Sequence, residues 1–100
     1  MSAFKSNDLD AIIHGKLRLG VMAYLASVNS ASFVTLREKT LSTDGNLSTH
    51  LKKLEDANYI KTEKRFEKCK PLTIIILTKT GRKAWITYLN KMQALLGGEM

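Results

Sequence analysis

A chain of 100 residues with 16 Lys+Arg against 9 Asp+Glu, net +7, is read as one basic domain, residues 1–100, with a polyanionic partner: nucleic acid or an anionic membrane surface. Its single cysteine, Cys69, excludes an intramolecular disulfide and a paired-cysteine metal site, which fits a reducing compartment. The opening MSAFKSNDLDAII lacks the apolar core of a secretion signal and no apolar run reaches membrane-span length, so a cytoplasmic protein is expected.

In chain order, residues 1–7 are polar and expected to fray. Asp8 is a candidate cap for a first helix, with Leu9, Ile12 and Ile13 at i, i+3 and i+4, and Gly15 breaks or bends it. KLRLGVMAYLASV repeats the helical period and puts Leu17, Val21, Tyr24, Leu25 and Val28 on one face. NSAS is a turn or loop, and Phe33 and Val34 form a short strand stub. Thr35 can cap a short helix, LREKT, with Glu38 completing a capping box.

LSTDGN is the next break, and Ser42 or Thr43 can cap the following helix, Asp44 to Ala57. Leu47, Leu51, Leu54 and Ala57 are its inward positions, and Asn58 suits the residue just past its end. The period then changes. YIKTEKRF alternates and LTIIILT is a β-branched run, so the two form a hairpin whose tip, EKCKP, is basic and closed to helix by Pro71. TKTGRKAWITYLNKMQALL returns to helix over residues 78–96, with Trp85, Tyr88, Leu89, Met92, Leu95 and Leu96 along one stripe, and GGEM ends it. The expected fold is α+β, mostly helical: a winged helix-turn-helix with a two-stranded β wing and a long C-terminal helix.

Nothing in the sequence assembles a catalytic centre. It has no glycine-rich phosphate loop, no nucleophile elbow and no paired-histidine metal motif, and His14 and His50 are far apart. The expectation is a protein that is not an enzyme and takes neither metal nor cofactor. His14 reads as a packing or capping residue. Cys69 stands between Lys68 and Lys70, cations that make a thiol more reactive, yet a plain exposed or half-buried thiol is the expected reading. The run Gly81 to Lys83 is left without a role.

REKTLSTDGNLSTHLKKLEDA is a short helix, a tight turn and a second helix. With the leucines inward, the outer face of that second helix carries short hydrogen-bonding side chains in place of the strong helix formers of an ordinary surface. Asn46, Ser48, Thr49 and Lys53 are the candidates for reading base edges; Thr43, His50 and Lys52 are candidates for phosphate. His50 reads equally as a solvated histidine, and the whole face equally as a solvated surface. The hairpin tips the balance: Lys61, Lys64, Arg65, Lys68 and Lys70 form a basic wing, residues 61–72, suited to the DNA backbone, with Arg65 the candidate for minor-groove insertion.

LDAIIHGKLRLGVMAYL, FVTLREKTLSTDGNLSTHLKKLEDANYIKTEKRF and LTKTGRKAWITYL together resemble the stand-alone winged-helix transcriptional regulators of MarR and ArsR type, over nearly the whole chain. The resemblance implies a DNA-binding homodimer joined through terminal helices. The apolar stripe, which runs past what one small domain needs, adds Leu9, Ile12, Ile13, Tyr88, Leu89, Met92, Leu95 and Leu96 as the dimer contact. A two-fold dimer sets its recognition helices about one DNA turn, roughly 34 Å, apart and implies a pseudo-palindromic double-stranded site. Three departures stand out. The paired cysteines of ArsR-type metal sensors are missing, no large ligand-binding domain is present to imply a small-molecule effector, and LTIIIL is more apolar than the family's usual strand.

The rival readings are a winged-helix protein-interaction module, which needs no basic wing, and a non-specific architectural DNA binder. RNA binding is disfavoured because the aromatics sit in apolar stripes, and a membrane role because the last helix does not segregate its charges from its apolar face.

Overall fold

The computed structural model describes residues 9–97; the expected Asp8 cap, the frayed residues 1–7 and the last three residues of GGEM lie outside the described residues. The expected first helix is a turn. The carbonyl of Asp10 accepts from the backbone N–H groups of Ile13 (3.1 Å) and His14 (2.7 Å), while its Oδ1 accepts from Ile12 N at 2.8 Å. A short acidic side chain that satisfies its own backbone competes with helix in this way. The apolar residues of the turn still reach the core: Leu9 and Ile13 are buried.

Helix α1, Lys16–Val28, buries Val21, Met22 and Leu25; Val28, expected on the same face, is exposed at its end. Strand β1 is Ser30–Ser32, just ahead of the stub expected at Phe33 and Val34. Its serines cover the free edge of the apolar strand β3, Lys70–Leu77, pairing Ser30 with Ile76, Ala31 with Ile75 and Ser32 with Ile74. The extended backbone that this pairing gives Ser32 also suits an N-cap. Ser32 therefore replaces Thr35 as the cap of α2, Phe33–Thr40, and its Oγ accepts from Thr35 N at 3.1 Å.

Both helices of the helix-turn-helix end in the same motif. Leu41 adopts the left-handed conformation at φ 53°, and Leu41 N and Ser42 N donate back to the carbonyls of Glu38 and Arg37. Thr43 then caps α3, Asp44–Asp56, by accepting from Asn46 N at 3.2 Å. At the far end Asn58 N and Tyr59 N donate to Glu55 O and Leu54 O, with Asn58 at φ 66°. Asn tolerates that conformation better than most side chains, which is why it serves as the stop. Leu47, Leu51 and Leu54 are buried as the spacing predicts.

Strand β2, Ile60–Glu67, pairs antiparallel with β3, and β3 is central in a three-stranded sheet of order β1-β3-β2. The strands run further toward the tip than expected, leaving only Lys68 and Cys69 as the turn, at φ 51° and 65°. Positive φ at both positions is the turn whose twist matches the hairpin. Pro71 sits opposite Phe66, beyond the reach of β1, where its missing N–H leaves no ladder bond unmade.

Helix α4, Lys79–Leu95, is locked to the end of α3. The Thr78 hydroxyl lies 2.6 Å from Asn58 O and 3.0 Å from Tyr59 O, either of which it can donate to, and it accepts from Gly81 N at 2.9 Å. A Cβ at Gly81 would stand 2.0 Å from Tyr59 O, so only glycine fits. Arg82 reaches back to α1 through Ala26 O (3.3 Å) and Asn29 Oδ1 (2.8 Å). Tyr88 is buried and stacks on Trp85, with ring centroids 5.8 Å apart.

Candidate nucleic-acid interface

The N-terminal half of α3 presents Asn46, Ser48, Thr49, Lys52 and Lys53 outward, all exposed, as a direct result of burying Leu47, Leu51 and Leu54. The Thr49 hydroxyl donates back to Gly45 O at 3.0 Å, so its methyl and the two lone pairs of its oxygen remain for a ligand. Thr43 accepts from Asn46 N and keeps its hydroxyl proton free to donate. Arg37 of α2 pairs with Asp44 at 2.6 Å, and Lys52 with Asp56 at 3.1 Å. Hydrogen bonding and then charge from those carboxylates raise the pKa of both cations. Exposed pairs of this kind are worth little and exchange readily for a phosphate.

His50 is held differently. Its Nδ1 accepts from Arg18 Nη1 at 2.7 Å, while Arg18 Nε donates to Ile12 O at 2.6 Å. Burial first, then the charges of Arg18 and Lys53, lower the His50 pKa. Near neutral pH the ring is therefore uncharged and offers a phosphate only its Nε2–H. Arg18 was not singled out from the sequence; an arginine on a helix with no carboxylate three or four residues away was the available signal.

The wing has two faces, set by strand alternation and register. Ile60, Thr62, Lys64 and Phe66 of β2 share one face with Leu77, Ile75, Thr73 and Pro71 of β3, and this face begins in the core and looks toward α3. Lys64 Nζ donates to Thr73 Oγ1 across it at 3.3 Å. A groove of about 350 Å³ runs between this face and α3, lined by Ser48, Lys52 and Glu55 on one side and Thr62, Lys64 and Thr73 on the other. The opposite face carries Lys61, Glu63, Arg65 and Glu67. There Arg65 donates to Glu63 Oε1 from Nη2 (2.7 Å) and Nε (3.2 Å), and Lys61 stands 3.7 Å from Glu63 Oε2. Those contacts, led by the Arg65 hydrogen bond, lower the Glu63 pKa. Arg65, expected to point into a minor groove, thus sits on the face turned from α3. Lys68, Cys69 and Lys70 are exposed at the tip.

The expected dimer residues divide. Leu9, Ile13 and Tyr88 are buried within the protomer, and the Tyr88 hydroxyl is hydrogen-bonded to His14 Nδ1 at 2.7 Å. They serve the chain's own core, because the Leu9–His14 turn packs against α4 through the His14–Tyr88 bond. Ile12, Met92 and Leu95 are half-buried. Leu89 and Leu96 are exposed at 44% and 78%, together with Ile86 at 52%, which lies outside the stripe that the spacing predicts.

A second groove, about 820 Å³, lies between the Asp10 turn and α4, with Tyr59, Lys83 and Lys91 among its walls. Tyr59 donates its hydroxyl to Asp10 there, and burial, then that hydrogen bond and the Asp10 charge, push its pKa up to about 12. Among the described residues no cluster of His, Cys, Asp and Glu could hold a metal ion, and no helix is long and apolar enough to cross a membrane.

Residues 17–96 match the family model described as a winged helix DNA-binding domain. The chain belongs to this winged-helix family. The match spans all the elements from α1 to α4, including the helix-turn-helix and the wing. An uncharacterized protein of Methanocaldococcus jannaschii is 37% identical over 84 residues, covering 84% of this chain and 91% of its own. The structure of a transcriptional regulator homologue from Pyrococcus horikoshii OT3 superposes with TM-score 0.82 at 29% identity, covering 87% of this chain and 86% of that one. A MarR family transcriptional regulator from Silicibacter pomeroyi shares the fold alone, with TM-score 0.61 at 17% identity, over 90% of this chain and 62% of its own. The architecture is thus the winged-helix fold of transcriptional regulators.

Proposed function

We propose that this winged-helix protein is a sequence-specific, double-stranded DNA-binding transcriptional regulator that acts in the cytoplasm as a homodimer and catalyses nothing. The observation that carries the proposal is the shared orientation of two surfaces. The exposed polar face of α3 and the Lys64 face of the wing flank one groove, so a duplex that receives α3 in its major groove meets the wing on the adjoining backbone. Asn46, Ser48, Thr49 and Lys53 read base edges. Thr43, Lys52, Lys64 and Lys68 take phosphates directly, Lys61, Arg65 and Lys70 do so from the outer face of the wing, and His50 contributes a neutral donor. The exposed α4 residues Leu89 and Leu96, joined by Ile86, Met92 and Leu95, form the dimer contact and set two half-sites of a pseudo-palindrome.

The test is selection of genomic duplex fragments by the purified protein, followed by sequencing, at two salt concentrations. Enrichment of a pseudo-palindrome that survives the higher salt is the expected result. Retention that is blind to sequence and lost with salt would make the protein an architectural DNA binder, and no retention at all would make it a protein-interaction module.

A further inference from the structure

The wing tip carries an exposed aromatic ring. Phe66 is 78% exposed, and its cross-strand neighbour Pro71 is exposed beside it. Phosphate contacts make no use of such a ring. Phe66 lies on the same face as Lys64 and Thr73, the face that looks toward α3, whereas Arg65 lies on the other and is paired with Glu63. Phe66 lies six positions along β2 from buried Ile60, which at strand rise sets the ring roughly 20 Å out from the core, about a duplex width. The turn beyond it is only Lys68 and Cys69, which keeps the tip narrow.

Charge decides among occupants. Lys64 shares the ring's face and Lys68 stands at the turn just beyond it, while Glu67 and Lys70 face each other on the opposite side, so the ring's partner has an apolar interior behind an anionic rim. A duplex minor groove has that form: stacked bases and sugars within, two phosphate rows at its edges. Apolar wedges entering this groove partly unstack a base step and kink the duplex, a cost returned by the protein surface that the bend brings into contact. We propose that Phe66 is an apolar wedge that enters the minor groove beside the major groove occupied by α3, with Lys64 and Lys68 on the flanking phosphates. The proposal rests on the DNA-binding reading above and replaces Arg65 by Phe66 as the inserted side chain.

The experiment compares wild type, Phe66→Ala and Phe66→Leu on a short duplex recovered by selection from random sequence, with fluorophores at its two ends. Affinity is read across a salt series and bend by energy transfer. Phe66→Ala is expected to raise Kd on the order of tenfold and to straighten the duplex. Its slope of log affinity against log salt stays that of wild type, because no phosphate contact is lost. Phe66→Leu keeps most of both properties. All three proteins should melt together, since the ring is exposed. An unchanged Kd in Phe66→Ala, or a raised Kd with an unchanged bend, overturns the wedge while leaving DNA binding standing. Failure of the wild type to bind any duplex overturns the DNA-binding reading as well.

Discussion

Arg18 donates from Nη1 to the Nδ1 of His50 across 2.7 Å, and so joins α1 and the preceding turn to the middle of α3. The bond exists only while the ring is neutral, because arginine donates and a protonated imidazole has no acceptor left. The folded-state pKa of His50 is depressed, so the unfolded chain binds the proton more readily. The stability from this contact is therefore complete above the ordinary value of 6.5 and is lost as pH falls through the lower folded value. Nuclear magnetic resonance titration of the His50 ring should give a midpoint below 6.5, and Arg18→Met should move it upward. A midpoint unmoved by that substitution would show that burial and the Lys53 charge set the shift without Arg18.

The contact of Gly81 with Tyr59 ties α4 to the end of α3 with no room to spare. A methyl there would meet a backbone carbonyl at 2.0 Å, which no rotamer change relieves. Gly81→Ala should destabilise the protein by at least the roughly 1–3 kcal/mol of an overpacked core site, read as a lower urea midpoint. Thr78→Ala removes the cap bond and the hydroxyl's contact with Asn58 O or Tyr59 O, and should cost about 1 kcal/mol. If Gly81→Ala unfolds at the wild-type midpoint, the close approach is not a constraint on the fold.

Glu63 is a brake on the wing's charge. Its carboxylate holds Arg65 at 2.7 Å and Lys61 at 3.7 Å on the outer face. Glu63→Gln removes the anion and leaves both cations in place. On the proposed reading this variant should bind all duplex sequences more tightly and show a steeper salt dependence, while Asn46→Ala should lose roughly 1–3 kcal/mol mainly on the selected site. Filter binding over a salt series separates the two. An unchanged slope for Glu63→Gln would mean that Arg65 and Lys61 stay clear of phosphate.

The helix-turn-helix was legible because its signals are local. Leucine spacing fixed the face of α3, Thr43 its start and Asn58 its end, and each of these acts through neighbours a few residues away. The misses come from long-range partners. The Asp8–Ile13 periodicity suits a helix, but Asp10 satisfies its own turn and reaches Tyr59, far along the chain. Ser30–Ser32 has no β-forming side chains, and it is a strand because β3 offers an open edge. Register also decides the candidate site: basic composition marked the wing, but only the pairing of Lys64 with Thr73 and Phe66 with Pro71 reveals which of its side chains face α3. Tyr88 fits a dimer stripe as well as a core stripe by spacing, and its burial under the Leu9–His14 turn separates the two.

That separation sharpens the prediction for assembly. The proposed dimer contact now centres on Leu89, with Ile86 and Leu96 beside it, since Leu9, Ile13 and Tyr88 are consumed within the protomer. Leu89→Glu would place a charge in the apolar centre of that contact without disturbing a buried residue, because Leu89 is 44% exposed in the single chain. Sedimentation equilibrium should show self-association weakened more than about tenfold, the equivalent of roughly 1.4 kcal/mol, while the thermal midpoint measured on dilute monomer stays near that of wild type. Tyr88→Phe is the contrasting variant. It removes the hydroxyl bonded to His14 and should lower stability by roughly 0.5–1.5 kcal/mol with association unchanged. If Tyr88→Phe weakens association and Leu89→Glu does not, the contact lies on the Leu9–His14 side of α4 and the exposed stripe has another purpose.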